Sequence, residues 1–194
     1  MTIFYRLGAK LYVNITNKCP CACIFCIRGL TDGVGDAESL WLEHEPSMAE
    51  IKADFNKRSD LSEVTEIVFC GYGEPMERAD DVIEITRYIK ERTNLPVRIN
   101  TNGLVRLINP DFEIKNLAIV DSISISLNAD DAEEYNRVTR PRFGVTAYSE
   151  LLEFAKAAKA YTTIAFSVMD VLSPERIKNC QSIARELNTT LRVR

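Results

Sequence analysis

Short β-branched runs alternate with helix-period segments along almost the whole chain, and this alternation restricts the possible folds more than any other feature. "KLYVNIT" (10–16), "TEIVFCG" (65–71), "PVRINTNG" (96–103), "VDSISISLN" (120–128), "TTIAFSVM" (162–169) and "TTLRVR" (189–194) read as strands. Amphipathic or capped patterns fall between them, over 47–58, 79–93, 130–138, 145–160 and 173–187. Ser47 with Glu50 three residues later reads as a capping box, and Ser173 with Pro174 opens the last helix. Strand followed by helix, about six times over, predicts a parallel sheet with right-handed crossovers. Six units are too few for a closed eight-fold barrel. The expected fold class is therefore α/β, a partial (β/α)6 barrel with an open parallel six-stranded sheet. No linker, repeat or low-complexity stretch divides the 194 residues, so one domain over 1–194 is expected.

In sheets of this kind ligands sit at the C-terminal ends of the strands. Four polar, sharply turning segments fall there: "CPCACIFC" (19–26) after the first strand, "GYGEP" (71–75) after the second, "NTNG" (100–103) closing the third and "SLN" (126–128) closing the fourth. The 24 basic and 28 acidic residues leave a formal charge of −4, which disfavours general nucleic-acid binding. No apolar run approaches a membrane span, and the N-terminus lacks the pattern of a secretory leader, so a cytoplasmic protein with reduced thiols is expected. His44, the single histidine, excludes sites that need several imidazoles and reads as a surface residue before a helix.

Cys19, Cys23 and Cys26 are spaced C-x3-C-x2-C, with Cys21 between the first two. Structural zinc wants four ligands, usually in two separated pairs, and only one such pair can be drawn here. A nucleophilic cysteine wants an adjacent base, and none is near in sequence. Three thiolates on one loop suit three corners of a [4Fe–4S] cubane, leaving the fourth iron open to a small chelating ligand. Cys21 is taken as a non-ligand, because using it would tighten the loops on either side. Cys70 and Cys180 stand alone.

This spacing, with Phe25 just before the last cysteine and "GYGEP" after the second strand, resembles the radical S-adenosylmethionine (radical SAM) superfamily. "NTNG" and "SISLNADDAEEYNRVTR" (124–140) are similar to the family's third- and fourth-strand segments. The resemblance implies a [4Fe–4S] cluster on Cys19, Cys23 and Cys26 and S-adenosylmethionine as the second cofactor. It implies reductive cleavage to a 5′-deoxyadenosyl radical that abstracts hydrogen from a substrate. It also implies oxygen sensitivity, and cofactor contacts from this chain's residues. The backbone of Gly71, Gly73 and Glu74 would accept from the amino group, Ser126 and Arg137 would hold the carboxylate, and Asn100, Asn102 and Asn128 would bind carboxylate or ribose hydroxyls. Phe25 and the backbone at Val168 would flank the adenine. The chain departs from the family at Tyr72, where a second glycine often stands, and at Phe166 and Asp170 around the adenine contact. Arg137 also has a plainer reading, an ion pair with Glu133 on a helix surface.

The small size and "CPCACIFCIRG" resemble the TatD-associated radical SAM proteins, which implies a functional link to a TatD-type hydrolase. An electron donor such as a flavodoxin or ferredoxin is implied as a partner, and the substrate is left as an unidentified small molecule or peptide. Alternatives are an activase for a glycyl-radical enzyme, a deazaguanine-type metabolite enzyme and, from another class, a non-catalytic metal-binding module.

Overall fold

The computed structural model describes residues 1–58 and 60–194. Its single sheet has seven strands, β1 (Phe4–Leu7), β2 (Lys10–Val13), β3 (Glu66–Phe69), β4 (Val97–Thr101), β5 (Ser122–Ser126), β6 (Thr163–Val168) and β7 (Thr190–Val193). They lie side by side in chain order, all parallel from β2 onward. The six expected strands are all present. The expected count of six is corrected to seven by β1, which pairs antiparallel with β2. Leu7 faces Lys10 across a two-residue loop whose first position, Gly8, has φ +60°. Glycine in that position sets the strand-matching twist of a tight hairpin.

The helices are α1 (Met48–Asn56), α2 (Ala79–Lys90), α3 (Val105–Ile108), α4 (Ala132–Thr139), α5 (Thr146–Ala158) and α6 (Pro174–Glu186). The capping box at the start of α1 forms: Ser47 Oγ accepts from the Glu50 N–H at 3.3 Å, and the Glu50 carboxylate accepts from the Ser47 N–H at 2.8 Å. Helix α3, one turn long, is an element the apolar periodicity did not reveal.

Register sorts the side chains of the sheet into two faces. Val13, Phe69, Ile99, Ile123 and Ile164 form one row across five strands, and all are buried. They pack with Ile51 and Phe55 of α1, Val82, Ile85 and Ile89 of α2, and Leu151 and Phe154 of α5 in one apolar core. Each such side chain contributes roughly 1.5–3 kcal/mol on burial, so this face holds the helices to the sheet. The opposite row runs Tyr12, Val68, Arg98, Ser122, Thr163. That inner face is largely polar. A closed barrel fills its interior with bulky branched residues; this open one does not.

Candidate functional site

A cavity of about 400 Å³ opens at the C-terminal ends of the strands. Its wall contains Cys19, Cys23, Cys26 and Phe25 from the loop after β2, Gly71, Gly73 and Glu74 after β3, Asn100 and Asn102 on β4 and its following turn, and Ser126 and Asn128 at the end of β5. Of the expected site residues, only Arg137 and Val168 lie elsewhere.

The cysteine loop is held from outside itself. Helix α4 ends on Arg140, whose left-handed backbone (φ 46°) turns the chain back toward the loop. There the Ala22 and Ile24 N–H groups donate to Thr139 O at 3.0 Å and Val138 O at 2.9 Å, and the Arg142 N–H donates to Pro20 O at 2.8 Å. Arg28 Nη2 adds a bond of 3.3 Å to Cys21 O. Cys21 is buried, and its thiol lies within hydrogen-bonding reach of Cys19 and Cys23. Contact with it holds the Cys19 and Cys23 thiols below their ordinary pKa, and Cys21, between the two and buried, is itself pushed up. Burial raises Cys26. Among the described residues no three His, Cys, Asp or Glu side chains converge closely enough for a single metal ion. Three thiols around one cavity form the donor set of a cluster in which each iron takes its own sulfur.

The turn after β3 is pressed against the segment that leads into the cysteine loop. A Cβ on Gly73 would stand 2.2 Å from Thr16 O and 2.6 Å from Lys18 O, and one on Gly71 would meet Asn14 Oδ1 at 2.0 Å. Glycine is thus required here by chain against chain. The Gly71, Tyr72 and Gly73 carbonyls accept no hydrogen bond among the described residues. Tyr72, the departure from the family's glycine, is buried; its hydroxyl donates to Thr31 O and its ring meets Trp41 edge-on at 5.1 Å. It ties the turn to the loop beyond the cysteines.

Glu74 is buried and accepts from Thr101 Oγ1 at 2.7 Å, the Asn102 N–H at 2.7 Å and the Met76 N–H at 3.0 Å, so its carboxylate staples the turn to the end of β4. Burial, offset only in part by these bonds, pushes its pKa up to about 7. A carboxyl raised in the folded state binds more protons there than in the unfolded chain. Its contribution is therefore complete below the unfolded value of 4.5 and is lost as pH rises through about 7. Relative to Glu74→Gln, wild-type protein is expected to lose about 3 kcal/mol of stability between pH 4.5 and 8. Denaturant unfolding of both across that range checks it; parallel pH profiles would contradict the assignment.

The asparagines divide by how fully they are used. Asn102 Oδ1 accepts from the Leu104 N–H at 2.9 Å and its Nδ2 points to Cys21 Sγ at 3.9 Å, a turn-forming role. Asn100 Oδ1 accepts from Arg98 Nη1 at 2.8 Å. Asn128 is different: it is buried with φ 54°, and its Oδ1 has no partner among the described residues. A buried acceptor without a donor is costly unless a ligand supplies one.

The sheet's parity turns the Val168 side chain away from the cavity, which leaves its backbone as the part assigned to the adenine. Its side chain lies in the apolar core with Phe166, its carbonyl accepts from the Arg194 N–H at 2.9 Å, and the next residue, Met169, lines the wall instead. Arg137 projects from the exposed side of α4, where Nε and Nη2 each bond Glu134 at 2.7 Å. The carboxylate three residues back takes this guanidinium, in place of Glu133. The cation that does reach the cavity is Arg194, whose Nη2 donates to Ser167 Oγ at 2.6 Å and Ser126 Oγ at 3.3 Å. Neither Arg194 nor Met169 was singled out from sequence. The signal for both was the period-2 parity of the last two strands.

A family model described as "Radical SAM superfamily" matches residues 13–186. The chain belongs to the radical SAM superfamily. Members of that superfamily use a [4Fe–4S] cluster and S-adenosylmethionine. A probable GTP 3′,8-cyclase of Saccharolobus islandicus is 30% identical over 155 residues, 80% of this chain and 45% of that protein. A probable dual-specificity RNA methyltransferase RlmN of Streptococcus mutans is 24% identical over 146 residues, covering 72% and 39%. The chain thus spans less than half the length of these superfamily relatives. The solved structure of TYW1 with a lysine-pyruvate adduct bound superposes with a TM-score of 0.63 at 15% identity, over 96% of this chain and 65% of that one; it supports the shared fold. No helix among the described residues is long and apolar enough to cross a membrane.

The donor set fits the superfamily's cofactors. Three thiols face the cavity, free backbone acceptors lie on the turn after β3, and the unpartnered Asn128 Oδ1 stands in the same wall.

Proposed function

We propose that this chain is a radical SAM enzyme in which Cys19, Cys23 and Cys26 hold a [4Fe–4S] cluster, acting on a hydrogen donor not yet identified. The observation that carries the reading is the meeting of those three thiols with the turn 71–74 and Asn128 around one cavity. Held by these residues, the cluster and S-adenosylmethionine would supply one-electron reductive cleavage of the sulfonium, the electron coming from an external donor, and hydrogen-atom abstraction from the substrate. The chain's own residues bind and orient. The carbonyls of the 71–74 turn accept from the cofactor's amino group, and Asn128 Oδ1 accepts from a ribose hydroxyl. Ser126 and Arg194 face its carboxylate, with the guanidinium offering a planar pair of donors. Phe25 and Met169 supply apolar wall for the adenine. A flavodoxin or ferredoxin as electron donor, and a link to a TatD-type hydrolase, belong to the same proposal.

The test is anaerobic reconstitution with iron and sulfide, reduction with dithionite and chromatography for 5′-deoxyadenosine. Its formation from S-adenosylmethionine is expected. Bound zinc without sulfide, and no cleavage, would favour a non-catalytic metal-binding module. Arg137→Ala is expected to leave S-adenosylmethionine affinity within about twofold of wild type, since an exposed pair is worth little. Equilibrium binding to the reconstituted protein measures this, and a large loss would bring Arg137 back to the cofactor.

A further inference from the structure

The polar inner face of the sheet encloses a second cavity, of about 430 Å³, which shares Asn100 and Arg194 with the cysteine-lined one. Its wall carries Lys10, Arg98, Arg192 and Arg194. One carboxylate beside it, Glu66, takes two of these cations: Lys10 Nζ at 2.6 Å, and Arg98 through Nε and Nη2 at 3.0 Å each. Arg192 and Arg194 have no carboxylate partner among the described residues, and desolvation holds the Arg194 pKa below its ordinary value. Hydroxyls stand between the cations. Ser122 and Ser124 line the same cavity, and the strand register sets Arg192 beside Ser167, which faces Ser126.

Four cations around one carboxylate, converging on a concave floor, leave a local excess of positive charge in a chain whose overall charge is negative. Packing alone does not call for this. Apolar or uncharged side chains would line the floor without crowding unpaired guanidinium groups together. A ligand that brings opposite charge removes the repulsion, and several fanned donors with intervening hydroxyls suit a tetrahedral oxyanion better than a planar carboxylate, which two donors satisfy.

We propose that this floor receives the phosphate group of a small-molecule substrate, with Arg192 as its principal ligand and Arg98, fixed by Glu66, beside it, Arg194 standing at the border with the cofactor's carboxylate. The proposal rests on the radical SAM reading for the claim that the ligand is a substrate. Anchored there, the molecule extends past Asn100 toward the cysteine-lined cavity, where its hydrogen would be taken.

The experiment is calorimetric titration of the reconstituted protein with inorganic pyrophosphate at low ionic strength. Saturable binding at one site is expected, weakened roughly tenfold or more in Arg192→Gln and unchanged in Lys156→Gln, which removes an equal charge from the outer helix layer. Circular dichroism and iron content confirm that Arg192→Gln is folded and loaded. Absence of saturable binding, equal weakening in both variants, or undiminished binding in Arg192→Gln overturns the proposal. Succinate binding as tightly as pyrophosphate overturns the choice of phosphate. Formation of 5′-deoxyadenosine without pyrophosphate binding would defeat this inference alone, and pyrophosphate binding without cleavage of S-adenosylmethionine would defeat only the radical reading.

Discussion

Alanine at Cys19, Cys23 or Cys26 is expected to reduce S-adenosylmethionine cleavage to the level of cluster-free protein, while Cys21→Ala keeps a substantial fraction of it. All four thiols reach the same cavity, so proximity does not separate them. Their hydrogen bonding does. Cys21 is buried between Cys19 and Cys23, and its thiol pKa is pushed up while contact with it holds theirs below the ordinary value, which favours the two flanking sulfurs as the thiolates that bind iron. Removing it costs one weak S–H donor and leaves a small void, a loss of about 1–2 kcal/mol in stability. Chromatography of 5′-deoxyadenosine together with iron and sulfide analysis of each variant decides the matter. If Cys21→Ala loses cluster and cleavage as completely as Cys23→Ala, the ligand set has to be redrawn to include it.

Gly73→Ala is expected to damage the protein more than any other single-methyl addition in the turn after β3. The new Cβ would lie 2.2 Å from Thr16 O and 2.6 Å from Lys18 O, both backbone atoms that no side-chain rotation can move aside. Relief requires the turn to separate from the 16–18 segment, which breaks the bond of 2.8 Å from the Glu74 N–H to Lys18 O and shifts the first cysteine beside it. A loss of about 2–4 kcal/mol is expected, with a lower iron content after reconstitution. The comparison is Gly29→Ala, where a Cβ meets nothing within 4 Å. Equal denaturant midpoints for the two variants would show that the segments separate freely.

Much of this architecture was legible because parallel strands covered by helices must be apolar on their outer face, and Ile99, Ile123 and Ile164 carry that requirement in their spacing. The hairpin was missed although "FYRLGAKLYV" holds its signal, two β-prone runs around a Gly-Ala turn. A pattern of alternating strands and helices offers no place for an antiparallel partner. Eleven of the thirteen residues singled out as candidate ligands line one cavity, because the ends of adjacent parallel strands are bound to meet. Parity sets the Val168 side chain on the face of Ile164 and Phe166, and Met169 is the residue whose side chain turns inward. Arg137 pairs with Glu134 on the helix surface, a pairing that a motif showing only which residues lie near a loop does not reveal. The motif names the backbone of Gly71 and Gly73 for its acceptors, whereas the lack of a side chain at each is required by the chain's own Thr16 and Asn14.

Strand order and chain order coincide from β1 to β7. Each strand therefore finds its neighbour already laid down, and the sheet can lengthen as the polypeptide emerges without waiting for a distant segment. The cysteine loop is the exception. It is synthesised early, yet the carbonyls of Val138 and Thr139 and the N–H of Arg142 that hold it belong to a much later stretch. Until that stretch arrives the four thiols are tethered on one side only, so the cysteine-lined wall is completed after most of the sheet that carries it.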